Sequence, residues 1–414
     1  MGPIEAIHKA FCEDNAGLFR DTLANNPELK SRINDPIGPF DSPLINSVRS
    51  RPMLEAVLDA GADINAKSRW WAGGFGLLDL ANDEVAECAL ARGAKLEAHS
   101  AARLGKIDQL ATMLAENPAL ARARGGDGKT PLHFARTTEI AKLLLENGAD
   151  INARDIDHES TPAQHLIGER NEVVRYLVSR GCETDIFLAA ALGDLELAKR
   201  LLSTDPHCIR LRVNAESFPM KNPRAGGTIY QWTLGFNISP HEVARNFGQL
   251  EMFELLIDHT PPEARLLVYC WIGNEPAVRE LLQKDSSLAS RLKLSEIRQL
   301  ADAARNNNTR AVQLMLEAGL PVTSAGQHNG TPLHWAAWHG NLEMVKLLLA
   351  KGSPLEDANN EFRASPLGWA MHGSENGWHR ETGNYPEVVP ALLSAGARIP
   401  ARTDGTAEVK AVLQ

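Results

Sequence analysis

A chain of 414 residues is too long for one globular core, which stops growing at about 250–300 residues, so it reads as two or three domains or as a stack of repeats. A hydrophobic content of 43% excludes a disordered polymer. The formal charge of −9 is spread along the chain without a basic block, which argues against a nucleic-acid partner. No apolar run reaches the roughly 18 residues that a membrane span requires, and the opening MGPIEAIHKAF has neither a signal-peptide stretch nor a myristoylation pattern. The expectation is a cytoplasmic protein with no membrane partner. Cys12, Cys88, Cys182, Cys208 and Cys270 are odd in number, far apart and form no C-x-x-C pair. They are expected to be small buried apolar residues, not disulfide or zinc partners.

Taken in chain order, the predicted elements are short helical pairs. The segment 4–23 opens the series. Ser42-Pro43-Leu44 precedes LEAVLDAGADINAK, and Leu90-Ala91-Arg92-Gly93-Ala94 closes another unit. AARLGKIDQLATMLAENP starts at Ala101, and GKTPLHFARTTEIAKLLLENGA starts at Gly128, with Thr130-Pro131 as its helix start. Thr161-Pro162 leads to VVRYLVSRG, and LAAALGDLELAKRLL begins at Leu188. Ser239-Pro240-His241 leads to MFELLIDH, and 268–282 and 301–319 follow. Thr331-Pro332 starts TPLHWAAWHGNLEMVKLLLAKG, and Ser365-Pro366-Leu367 opens the last full copy, ending VVPALLSAGA. In each clear copy Thr or Ser suits a helix N-cap and Pro the first turn, where no N–H is needed. A turn such as Gly340-Asn341 reverses the chain. The second helix carries apolar residues at helical spacing (Met344, Val345, Leu347, Leu348, Leu349), and Gly148 or Gly352 ends it in the left-handed conformation. Asn26-Pro27 and Asn117-Pro118 end helices by another route, because the residue before Pro avoids the helical region.

The period is about 33 residues, and the T-P-L-H and L-L-x-x-G-A segments resemble the ankyrin-repeat family. The resemblance implies an all-α solenoid of about eleven or twelve stacked helix–turn–helix units with a concave groove, each unit burying its apolar face against the next. His133 and His334, the histidines of T-P-L-H, are then structural and bond between adjacent repeats. The organisation expected is 1–213 N-terminal repeats, 214–238 an aromatic-rich inserted finger, and 239–414 C-terminal repeats with an extended loop at 371–386. The insertion holds Phe218, Tyr230, Trp232 and Phe236 around Gly226-Gly227. It is read as an ordered finger, with a small hairpin in which TIYQWTL forms a strand. Long aromatic loops on a repeat scaffold carry binding residues or plug a kink.

In the family the two positions after the A-A pair of the first helix face the groove. Carried to this chain they include Arg103, Ala191, Phe247, Trp271, Arg305, Trp338 and His339, with His372 in the last full copy. From Phe247 onward this stripe turns aromatic and polar, the composition of binding hot spots. The binding set expected is Phe247, Trp271, Arg305, Trp338, His339, His372 and Trp378, with Tyr230 and Trp232 of the finger. Trp335 and Trp369 stand where the family has Leu and are read as core.

Sequence signals for catalysis are weak. No H-E-x-x-H, G-x-S-x-G, phosphate-binding Lys loop or dinucleotide motif occurs. His334 and His339 are five apart, a poor spacing for one helical face, so no metal and no cofactor is expected. No catalytic residue is assigned. The reading is a binding protein that takes a protein segment or other ligand in its groove, with a small polar ligand as a further option. The alternative is a groove-based enzyme or saccharide binder that uses carboxylates such as Asp79, Glu216, Glu242 or Glu375 with His241 or His372 under the 214–238 and 371–386 loops.

Overall fold

In the computed structural model, which describes residues 2–401 and 403–413, the described chain is helical and contains no strand. It condenses into two units, residues up to 204 with 211–238, and 205–210 with residues from 239 onward. Among the described residues the first unit holds seven helical pairs and the second five, followed by the short helix Ala407–Val412. No described helix is long and apolar enough to cross a membrane.

One pair shows how the sequence builds the unit. Pro332–Trp338 starts with Pro in its first turn, where the missing N–H costs nothing. The Thr331 N–H donates to His334 Nδ1 at 3.1 Å. That bond requires Nδ1 to be the acceptor, so Nε2 carries the proton and donates to the Asp357 and Ala364 carbonyls at 2.8 and 3.2 Å. The histidine thus ties its own helix start to the loop of the next repeat. His133 does the same, with Thr130 N–H on Nδ1 and Ser160 O on Nε2 at 3.2 Å. Asn341 Oδ1 caps the second helix, Leu342–Ala350, by accepting from Met344 N at 2.9 Å, and Gly352 ends it at φ +78°. Leu333, Ala336, Ala337, Met344, Val345 and Leu348 are buried, and the small alanines let neighbouring first helices approach.

Where a repeat is shorter, its first helix shrinks. TPLHFARTTEI places Ile140 seven residues after His133, whereas Met344 follows His334 by ten. The missing three residues are about one turn, and Pro131–Phe134 is only a 3-10 turn. Of the cysteines, Cys182, Cys208 and Cys270 are buried as expected, but Cys12 is exposed and Cys88 intermediate.

The 214–238 insertion corrects the hairpin expectation. TIYQWTL forms no strand; Tyr230–Thr233 is a short helix and the remainder is irregular. The ends of the insertion meet, Val213 N bonding Ile238 O at 3.0 Å and Asn237 N bonding Val213 O at 2.7 Å. Its body lies on the first unit. Lys221 N and Asn222 N donate to the Glu159 carboxylate, and Ile229 N donates to Ser160 Oγ. Tyr230, fully buried beside Phe187 and Phe218, donates its hydroxyl to Asp185 at 2.9 Å. A strand would leave that aromatic and its hydroxyl without these partners.

Candidate binding cleft

In the second unit the helices Pro332–Trp338 and Pro366–Asn376 lie side by side. They frame a cleft of about 600 Å³. Trp335 and Trp338 form one wall and Trp369, Met371 and His372 another. Phe362 and Arg363 come from the loop before the second helix, His328 from the loop before the first, and Trp378 from the turn after Asn376. Pro400 and Asp404 complete the lining.

The rings support one another edge to face. Trp335 meets Trp369 at 5.0 Å and 87°, and Trp338 meets Trp378 at 6.3 Å and 85°. Trp378 also lies parallel to Trp335 at 6.0 Å. The Arg305 guanidinium sits over both of these rings, at 4.8 Å from Trp378 and 5.5 Å from Trp335. Such pairs contribute about 0.5–1.5 kcal/mol each beyond buried area. They hold Trp378 in place although 57% of it is exposed. Burial pushes Arg305 down to about 10, still charged at neutral pH. The Nε1–H groups of Trp335, Trp338 and Trp369 have no acceptor among the described residues. A buried donor left unbonded costs about 1–3 kcal/mol.

The chain turns sharply to deliver Trp378. A Cβ on Gly373 would stand 2.5 Å from the Trp338 carbonyl oxygen, and one on Gly377 2.4 Å from the Gly373 carbonyl oxygen. Tyr385 donates its hydroxyl to the same Trp338 carbonyl at 2.7 Å, and burial pushes it up to about 12.

The expected binding residues separate into three groups. Trp338, His372 and Trp378 line the cleft, and Arg305 packs on the face of Trp378. Phe247 is half-buried and Trp232 is 62% exposed in the first unit's insertion, packed on His158 at 4.8 Å. Trp271 and His339 are buried, which corrects their placement on the groove face, and Tyr230 of the insertion is buried as well. Trp271 is 5% exposed because its indole reaches across to the neighbouring repeat, where Nε1 donates to Gln299 Oε1 at 2.8 Å. His339 donates from Nε2 to the Arg305 carbonyl at 2.7 Å, and burial lowers it to about 4. Ala191, at the same frame position, is also buried. Trp335 and Trp369 are buried as core and still contribute cleft wall. His328, Phe362 and Arg363 escaped the frame because they lie in loops before the helices.

Three of the four carboxylates considered for acid–base work have partners elsewhere, and Glu216 is exposed on the insertion. Asp79 accepts from Gly76 N and Ser100 Oγ, and Glu242 closes the capping box on Ser239. Glu375 lies 3.8 Å from Lys410.

A profile of ankyrin repeats matches residues 98–187, 241–359 and 300–403, together more than half of the chain. The chain belongs to the ankyrin-repeat family. Ankyrin repeats in general support a role in protein–protein interaction. It is similar to the palmitoyltransferase ZDHHC13 of Mus musculus, 33% identical over 91 residues, which are 22% of this chain and 13% of that protein. It is similar to the Ankyrin repeat and SAM domain-containing protein 6 of Rattus norvegicus, 30% identical over 131 residues, 31% of this chain and 15% of that protein. The palmitoyltransferase ZDHHC17 of Homo sapiens is 34% identical over 56 residues, 14% of this chain and 9% of that protein. The chain thus spans no more than 15% of the length of these relatives.

Proposed function

We propose that this ankyrin-repeat protein captures a partner protein through an extended segment whose apolar or flat side chain enters the cleft between Trp338, Trp369 and Trp378. The observation that carries the reading is the exposure of Trp378, held over the cleft by Trp335 and Arg305. An exposed, rigid indole beside an apolar pocket is the composition of an interface anchor. His372 and Arg363 at the rim add polar contacts.

The test is a selection of displayed peptides on the full chain, followed by titration of the recovered peptides against Trp378→Ala, with Trp232→Ala in the other unit as control. Trp378→Ala is expected to weaken binding by at least about 2 kcal/mol, and Trp232→Ala to leave it unchanged. Peptides that bind Trp378→Ala as well as the parent would remove the cleft from the interface. Recovery of no peptide, with binding of oligosaccharides that is lost in Trp378→Ala, would replace the protein segment with a sugar.

A further inference from the structure

The first unit contains a buried cluster that the binding reading does not use. Asp127 sits at the tip of the loop before Pro131–Phe134, with φ +56°, between Gly126 and Gly128. Asp157 and His158 occupy the next such tip, one repeat later. The Asp127 carbonyl accepts from Ile156 N at 2.7 Å and ties the two tips together. The insertion covers them, Gly226 N donating to the Asp157 carbonyl at 2.9 Å and to its Oδ1 at 3.2 Å.

His158 faces this cluster in a defined tautomer. Its Nδ1 is 2.9 Å from the Gly227 carbonyl, which only accepts, so Nδ1 carries the proton. Nε2 then presents a lone pair. It lies 3.7 Å from Asp157 Oδ2 and 4.0 Å from Asp127 Oδ2, and no described residue gives it a hydrogen bond. The His158 side chain is only 10% exposed, and the two carboxylates are equally enclosed. These separations exceed the roughly 2.7–3.2 Å of an N–H···O bond. Atoms that each stand about 2.0–2.2 Å from a common ion lie at most about 4.4 Å apart, so these separations leave room for one with small side-chain adjustments. The three ligand atoms lie within 4.8 Å of one another.

Charge points the same way. Asp127, Asp155 and Asp157 are buried together, and Lys129, 3.0 Å from Asp127 Oδ2, is the ammonium paired with them. Two negative charges remain, the complement of one divalent ion. Asp155 is occupied by the N–H groups of His158 and Ser160 at 2.8 and 2.7 Å. The adjoining group of His133, Asp155 and His165 is less suited, because the His133 ring nitrogens are spent on Thr130 and Ser160.

We propose that Asp127, Asp157 and His158 form a binding site for one divalent transition-series cation, closed by Gly226 and Gly227 of the insertion. One imidazole nitrogen with two carboxylate oxygens favours Zn²⁺ or Mn²⁺ over Ca²⁺, which takes oxygen ligands. The Gly227 carbonyl orients the imidazole as outer partners do at histidine metal sites, and Gly226 N–H orients the Asp157 carboxylate. A Cβ at Gly226 would stand 3.3 Å from Asp157 Oδ2 and 3.4 Å from His158 Cε1, so the cover fits closely. The ion would pin the insertion to the repeats beneath it.

The test is calorimetric titration of chelator-treated full-length protein with ZnCl2, MnCl2 and CaCl2 in turn, with thermal unfolding alongside. One Zn²⁺ or Mn²⁺ per chain is expected, with a raised Tm and a much weaker response to Ca²⁺. His158→Ala and Asp157→Asn are each expected to weaken binding at least tenfold, and His379→Ala, next to Trp378 in the second unit, to leave it unchanged. No stoichiometric binding overturns the proposal, as does binding that persists in both variants, since exposed histidines would then hold the ion. If both variants fail to fold, Co²⁺ added to the parent decides. A d–d absorption band displaced by Zn²⁺, with loss of the His158 imidazole Cε1–H resonance by paramagnetic broadening, supports the site, and its absence removes it.

Discussion

Trp271→Phe removes one hydrogen bond from the core of the second unit and keeps most of the ring. The lost donor strands Gln299 Oε1, which is 2.8 Å from Trp271 Nε1 and buried. A buried acceptor without a donor costs about 1–3 kcal/mol, and the smaller ring forfeits about 1 kcal/mol of packing. The expected destabilisation is therefore about 2–4 kcal/mol. Adding Gln299→Leu removes the stranded acceptor, so the double variant is expected to be more stable than the sum of the singles by about 1–2 kcal/mol. Trp271→Ala is expected to cost about 3–5 kcal/mol. Urea unfolding followed by far-ultraviolet circular dichroism measures the cycle. Because repeat stacks unfold in parts, amide exchange over Pro262–Trp271 and Gln299–Arg305 locates the loss. A cost below about 1 kcal/mol for Trp271→Ala, together with ready iodide quenching of this indole in the parent, would return Trp271 to an open face and refute its core assignment.

Three other perturbations test neighbouring parts of the structure. Gly373→Ala improves helix propensity by about 1 kcal/mol, but its Cβ would meet the Trp338 carbonyl at 2.5 Å. Net destabilisation with loss of peptide capture is expected in a thermal melt and a titration, and a stabilised protein would contradict the packing. His339, lowered to about 4 in the fold against about 6.5 unfolded, contributes stability that is complete above pH 6.5 and lost as pH falls toward 4. Between pH 8 and pH 5 the parent should lose about 2 kcal/mol through this residue, so the deficit of His339→Gln should shrink on acidification; a deficit independent of pH would show that the imidazole is not held neutral. Arg210 bridges Glu263 and Glu296 within the second unit. Arg210→Ala is expected to cost about 3 kcal/mol because Glu296 is left buried and unpaired, and urea midpoints unchanged from the parent would show that the bridge is idle.

Much of the fold was legible because its signals are local. Thr331-Pro332, Asn341 and Gly352 start, restart and end helices through bonds that reach no further than four residues. Leu333, Val345 and Leu348 repeat at the helical period, and His334 keeps its bridging role wherever T-P-L-H recurs. The aromatic character of the C-terminal copies was legible too, and Trp338, His372 and Trp378 do meet at one cleft. Trp271 escaped because one frame position serves two ends: an indole there stays outside or crosses to the neighbour, and only the presence of Gln299, 28 residues away, decides. Tyr230 escaped for the same reason, since its half-buried partner Asp185 is 45 residues back.

The sequence by itself determined that the chain would stack short helical pairs, because each pair exposes an apolar face that only a like neighbour can cover. Tertiary structure alone decided which side chains meet at the loop tips. Stacking places Asp127 beside Asp157, and His328 beside Phe362 at 5.2 Å. Such neighbours share a layer, not a stretch of chain, and their spacing in sequence follows from repeat length and carries no sign of the chemistry they make together.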